Sequence, residues 1–206
     1  MLLWAGLFLI VLGLACLPID RRAAHALYDH ESARLERFLE ATTHWAKAGH
    51  WLIAALIALA LARIGLAVRG EQEQLRQMSD YSLAFIACLA VGSAILQGMK
   101  LLVGRRRPRD DMEMGKYGFV WFEFRLDYNS FPSGHALTIT CVAAIASCVW
   151  PHLAVAWFAV ALWLGVTREL MTAHFLSDVF IGRGIGLLAA RETLLYVFPR
   201  LPPPWF

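Results

Sequence analysis

Three groups of residues in the second half of this 206-residue chain have the types and spacing to hold a phosphate and cut it. Lys100 is followed after six residues by Arg107-Pro108, then comes Pro132-Ser133-Gly134-His135, and Arg168, His174 and Asp178 complete the set. Phosphoryl transfer needs chiefly positioning and compensation of the charge spread over the equatorial oxygens. Lys100, Arg107 and Arg168 supply that charge, the arginines with planar forks that match phosphate oxygens in pairs. Ser133 and Gly134 open an apolar run, where the free amides of a helix N-terminus favour an anion. The Ser133 hydroxyl adds a donor, and Gly134 lets the backbone approach a ligand closely. Pro108 keeps the chain at Arg107 out of helix.

His174 and Asp178 are four apart, which places them on one face if the segment is helical. A carboxylate bonded to one ring nitrogen leaves the other free to attack phosphorus. His174 is therefore the nucleophile, forming a phosphohistidine, and His135 protonates the leaving oxygen. The two imidazoles must then hold different protonation states near neutral pH.

Each cluster alone has a plainer reading. The run Arg105, Arg106, Arg107 and Arg109 anchors a helix end to lipid headgroups, with Asp110, Asp111 and Glu113 as its charge balance. Ser133 is an ordinary N-cap, and His174 with Asp178 is polar glue between helices. The coincidence of all three spacings favours catalysis, because ionisable groups are rare beside apolar spans. His25, His30, His44 and His50 have no ligand-like spacing and read as surface or interfacial groups.

The elements that must position these residues are membrane helices. The chain is 59% hydrophobic and 17% charged, with a net charge of +3, outside the range of an ordinary soluble domain. Six apolar stretches, about 2–19, 51–67, 82–103, 134–150, 153–167 and 176–197, have the length or composition of spans. This predicts an all-α, six-transmembrane-helix integral membrane bundle forming one membrane domain over 1–206, with loops 104–133 and 167–176 supplying the chemistry. The first stretch lacks the basic leader of a signal peptide and reads as a retained anchor. Leu35, Phe38, Leu39, Thr42 and Trp45 recur at helical spacing, predicting a short interfacial helix between the first two spans. Residues 68–80 read as a plain connection, and Pro202-Pro203-Pro204 cannot continue a helix. Six spans put connections 20–50, 104–133 and 167–176 on one side, so all three clusters share a face.

Cys16, Cys88, Cys141 and Cys148 all fall in apolar stretches and suggest neither a disulfide framework nor a metal site. Asp110, Asp111 and Glu113 offer too few oxygens for a hard cation. The acids interleaved in the basic run speak against nucleic acid. Tyr117, Phe119, Trp121, Phe122, Phe124, Tyr128 and Phe131 make the 104–133 loop aromatic, as a belt seating it on the bilayer or as a rim admitting a lipid sideways.

Lysine, six residues, Arg-Pro; Pro-Ser-Gly-His; arginine, five residues, histidine, three residues, aspartate: this pattern over residues 100–178 resembles the type 2 phosphatidic acid phosphatase superfamily. The resemblance implies a six-helix membrane enzyme that dephosphorylates lipid phosphates and diphosphates without a metal or other cofactor. It assigns His174, His135 and Asp178 to catalysis and Lys100, Arg107, Ser133, Gly134 and Arg168 to phosphate binding. Thr167 departs from the family's usual serine but keeps the hydroxyl. The implied substrates are undecaprenyl diphosphate, phosphatidylglycerol phosphate, phosphatidic acid and lipid A phosphate, entering from the bilayer. The short loops leave little protein to recognise a large sugar headgroup, which favours polyprenyl diphosphate. Phosphotransfer to another acceptor, or a non-catalytic scaffold or transporter, are the alternatives. The resemblance also implies a bacterial inner-membrane location with the site facing the periplasm or exterior. The Lys and Arg distribution, read alone, puts that face in the cytoplasm.

Overall fold

The computed structural model describes residues 1–28, 33–123 and 125–201. His30, Phe124, the Pro202–Pro204 run and the side chain of Leu35 lie outside the described residues. The described helices are α1 (Leu2–Cys16), α2 (Asp20–Tyr28), α3 (Ala33–Thr43), α4 (Ala48–Arg69), α5 (Glu73–Leu102), α6 (Pro108–Met114), α7 (Gly134–Val149), α8 (Ala154–Leu170) and α9 (Leu176–Glu192). All six apolar stretches are therefore helical, and the chain is mostly helix.

The boundaries differ where local propensity outweighs hydropathy. Residues 73–81 are rich in Glu, Gln, Leu and Met, all good helix formers, so α5 begins at Glu73 and only 70–72 connect it to α4. Helix α8 likewise runs on to Leu170, placing Thr167 and Arg168 on a helix rather than in a loop. The first polar connection holds two helices, α2 and α3, instead of one. The 104–133 loop departs from an all-α fold. Its strands β1 (Val103–Arg105) and β2 (Phe119–Trp121) pair antiparallel, with Arg105 opposite Phe119.

By length and composition, Arg37–Arg69, Glu73–Leu102 and Pro151–Leu170 can cross a membrane, and Leu2–Cys16 with Asp20–Leu27, bent by 82°, makes a fourth if taken as one span. The other two predicted spans are shorter and differently placed. α7 and α9 have 16 and 17 residues, about 25 Å at 1.5 Å per residue, and are almost wholly buried. They form the centre of the bundle, with α1, α5 and α8 packed around α9 and α4, α5 and α8 around α7. The outer helices turn apolar side chains outward, among them Trp4, Phe8 and Val11 on α1, Ile53, Ile57 and Leu61 on α4, and Val155 on α8. A bundle with exposed apolar outer faces and polar groups at its centre suits hydrocarbon surroundings.

Close approach of α9 to the α7 N-terminus positions the site. A Cβ at Gly182 would fall on the carbonyl oxygen of Ser133, a backbone atom that cannot swing aside. Gly182→Ala is expected to destabilise the protein by about 1–3 kcal/mol, as overpacking does. Gly98→Ala, where a Cβ meets nothing within 4 Å, should be neutral or slightly stabilising. Thermal midpoints in detergent check this, and equal midpoints for the two variants contradict it.

Candidate active site

The three clusters meet at one end of the bundle. Ser133, the residue before α7, donates its N–H to the Asp178 carbonyl on α9 at 3.0 Å. Arg109 N–H donates to the Thr172 carbonyl at 3.2 Å, tying the start of α6 to the turn after α8. The Arg168 carbonyl accepts from the backbone N–H groups of Ala173 and His174, so the arginine and the histidine are held by one short turn. Thr172 in that turn has φ 48°, a left-handed conformation that β-branched residues rarely adopt and that tends to cluster at functional sites. At the opposite end, Arg63, Arg76 and Asp80 share a cavity with Arg200, so the α4–α5 connection and the C-terminal segment lie together.

His174 is buried, and its Nδ1 lies 2.8 Å from the Ser130 carbonyl oxygen. A carbonyl only accepts, so Nδ1 carries the proton and Nε2 has the free lone pair of the neutral ring. Among the described residues Nε2 makes no hydrogen bond. Burial pushes the imidazole pKa down, Asp178 opposes the shift, and the charges of Arg168 and Arg107 add to it. Burial thus favours the neutral ring.

Asp178 does not orient the ring in the expected way. His174 precedes α9, whose first residue is Leu176, so the two share no helix face. Asp178 Oδ2 is 3.9 Å from Nδ1, beyond hydrogen-bond reach. It accepts instead from the Ser130 hydroxyl at 2.6 Å and the Phe175 N–H at 3.0 Å, capping α9, while Oδ1 accepts from Arg105 at 2.7 Å. Ser130 is the intermediary: its hydroxyl is fixed by Asp178, its N–H donates to the Arg105 carbonyl at 3.0 Å, and its own carbonyl fixes His174.

The phosphate-binding candidates fall around this pair. His135 lies within electrostatic reach of Arg168, His174, Arg107 and also Lys47, the residue just before α4, which spacing did not single out. Lys100 Nζ donates to the Asn129 carbonyl at 2.7 Å and lies in the field of Asp178 and Arg107. Arg107 and Arg168 line one cavity of about 280 Å³ with Ala173. His174 itself borders a different cavity, of about 350 Å³, with Glu169 and the alanines of α2. Arg168 Nη1 donates to the Thr43 hydroxyl at 3.3 Å, another partner that spacing could not reveal. Thr167 directs its hydroxyl to the Leu164 carbonyl at 2.8 Å.

Ser133 and Gly134 stand at the start of α7. Ser133 occupies the N-cap position of α7, yet its side chain makes no capping bond, and its buried hydroxyl has no partner among the described residues. A Cβ at Gly134 meets nothing within 4 Å, so open space faces this backbone. Arg107 is extended, with φ −78° and ψ 156°, as a residue before proline should be. Pro108 then starts a helix, α6, at its first position, where a missing N–H is harmless.

The arginine run divides by role. Arg105 is no headgroup anchor: it is fully buried, donating to Asp20 at 2.9 Å, Asp178 at 2.7 Å and Ser177 Oγ at 2.8 Å. The Phe175 ring lies 3.9 Å and the Phe119 ring 4.6 Å from its guanidinium carbon. Arg106 pairs loosely with Asp110, at 3.5 Å. Asp111 balances none of the run; it accepts from Arg21 Nε and Nη2, each at 2.9 Å, and lies 3.0 Å from His25 Nε2. His25 is therefore part of a tie between α2 and α6 rather than a free surface group. In the aromatic segment Trp121 and Phe122 are exposed, whereas Phe131 is buried.

The family model of the PAP2 superfamily matches residues 81–202. Lipid A 1-phosphatases of Rhizobium etli and Rhizobium johnstonii are each 36% identical, over 104 and 118 residues, covering 50% and 57% of this chain and 45% and 48% of their own. The chain spans about half the length of these curated relatives. Among solved structures, the first transmembrane PAP2 type phosphatidylglycerolphosphate phosphatase of Bacillus subtilis superposes with a TM-score of 0.64 at 20% identity, covering 95% of each chain. Aquifex aeolicus LpxE superposes with a TM-score of 0.61 at 18% identity, covering 86% of this chain and 96% of its own. At such identities the two structures establish the fold.

Proposed function

This chain belongs to the PAP2 superfamily, and from that premise we propose that it is an integral membrane phosphatase cleaving a phosphate from a lipid through a phosphohistidine at His174. The observation that carries the reading is the His174 ring, whose Nδ1 proton is held by the Ser130 carbonyl and whose Nε2 is unbonded among the described residues, in the field of Arg107 and Arg168. Nε2 attacks phosphorus, and the bond to the lipid oxygen breaks as His135 delivers its proton to that oxygen. Water then attacks the phosphohistidine, giving a proton back to His135, and the N–P bond breaks to release phosphate and the free imidazole. Lys100, Arg107, Arg168, the Ser133 hydroxyl and the amides after it hold the equatorial oxygens. No metal takes part, since these cations supply the compensating charge.

Of the candidate substrates, lipid A phosphate has the most support, because the curated relatives at 36% identity are named lipid A 1-phosphatases. Six spans in one domain, with the site at the periplasmic or outer face of an inner membrane, complete the proposal. The lipid reaches the site from the bilayer.

Purified protein should release phosphate from lipid A faster than from phosphatidic acid, phosphatidylglycerol phosphate or undecaprenyl diphosphate. Release should continue in excess chelator and fall with vanadate, which mimics the transferring group. Release that requires an added divalent ion defeats the mechanism. Release from none of the four lipids defeats the phosphatase reading.

A further inference from the structure

A cleft larger than either of the two cavities described above adjoins the site. Arg107 and Asp110 are walls of both the cavity of about 280 Å³ that holds Arg168 and a cavity of about 480 Å³ that extends along α6 to Lys116, Arg125 and Asp127. Around the larger cleft stand four cations, Arg106, Arg107, Lys116 and Arg125, against two carboxylates, Asp110 and Asp127. Met114 is its one apolar lining side chain, so the cleft is unsuited to an acyl chain.

The cations here are weakly committed. Arg125 is 3.8 Å from Glu123 and 3.8 Å from Asp127, and its side chain is 60% exposed. Such pairs contribute little in water. Lys116 is exposed and has no ion pair among the described residues. Among the described residues Arg106 Nε is buried without a partner, while the guanidinium sits 4.4 Å from the Tyr128 ring centre. The backbone, in contrast, is fixed. Gly115 closes α6 in the left-handed conformation, and Lys116 N–H donates to the Asp110 carbonyl at 3.4 Å. A rigid frame carrying loosely paired cations is a setting in which a dianion can displace the carboxylates as partner.

We infer that this cleft binds a second phosphoryl group on the same lipid headgroup, with Arg107 standing between it and the phosphate being cut. The inference rests on the phosphatase reading and narrows the substrate to a lipid bearing two phosphoryl groups. These are joined in a diphosphate or set apart across a sugar headgroup; the shared chemistry is the second dianion.

The test compares Lys116→Ala/Arg125→Ala with the parent, both as full-length protein in neutral detergent. Substrates are phosphatidic acid, undecaprenyl diphosphate and a lipid A carrying both its phosphates. The KM for a substrate with two phosphoryl groups should rise roughly tenfold or more, since two cations are lost and one charge-assisted hydrogen bond alone is worth about that factor, while the KM for phosphatidic acid stays within about twofold. A rise confined to lipid A places the second group across the sugars, and a rise for undecaprenyl diphosphate places it next to the first. Equal effects on all three substrates, or none, overturn the inference and leave general adhesion to anionic lipid as the use of these charges. Equilibrium binding in a His174→Ala background reads the same selectivity without turnover. Loss of preference for the doubly phosphorylated lipid there supports the subsite even if the parent releases no phosphate, which would count against the phosphatase reading alone. Unchanged binding preference overturns the subsite.

Discussion

Phosphate release by the His174→Ala protein is expected to fall on the order of 10³-fold or more, the scale seen when a nucleophile is removed from a site that otherwise still binds its substrate. Among the described residues the ring makes one hydrogen bond, to the Ser130 carbonyl, and Ser130 keeps its other two ties, to Asp178 and Arg105, without it. The cradle of Lys100, Arg107 and Arg168 should therefore survive, and lipid binding with it. A labelled lipid phosphate mixed with the parent protein and quenched with alkali should leave label on the chain, as a phosphoramidate does, and the variant should take up none. A variant that still acquires label, or that keeps a tenth of the parent rate, would place the nucleophile elsewhere.

This prediction depends on a tautomer that the sequence indicated for the wrong reason. The four-residue spacing of His174 and Asp178 pointed to a carboxylate holding the ring, whereas α9 begins after the histidine and a backbone carbonyl does the holding. The chemical outcome is the same, since either acceptor fixes the proton on Nδ1. What was legible follows from local rules: apolar runs became helices, proline kept Arg107 extended, and the residue before an apolar run became the N-cap of α7. What was not legible depends on residues brought together from far apart. Asp20 and Ser177 are 157 positions apart, and no periodicity announces a bond between them. Ser130, Thr43 and Lys47 lie in connections whose paths are set only when α2, α3 and the β1–β2 pair pack onto the bundle. The three-residue strands are below the length at which an alternating pattern can be recognised.

Arg105→Ala should be the most destabilising single change at this end of the bundle, by about 3–5 kcal/mol or more. The parent guanidinium serves two carboxylates at once, Asp20 on α2 and Asp178 on α9, and all three side chains are fully buried. Burial alone would lower the arginine pKa, but the two carboxylates outweigh it and raise it. Removing the arginine leaves two buried anions side by side with no cation between them. Against a typical total stability of about 5–15 kcal/mol, that is a large fraction. Arg105→Lys keeps the charge but loses the fork that reaches Asp20, Asp178 and Ser177 together, so it should fall between the parent and the alanine variant. Arg105→Met combined with Asp20→Asn removes a cation and an anion while keeping similar volume, and should recover part of the loss. Thermal unfolding in detergent orders the four proteins. A midpoint for Arg105→Ala equal to that of the parent would mean that the packing of α1 and α2 on α9 holds this end without the ion pairs. Activity adds a second readout, because Asp178 positions Ser130 and Ser130 positions His174. If the arginine acts through that chain, Arg105→Lys should lower kcat with little change in KM, at temperatures where the protein is fully folded.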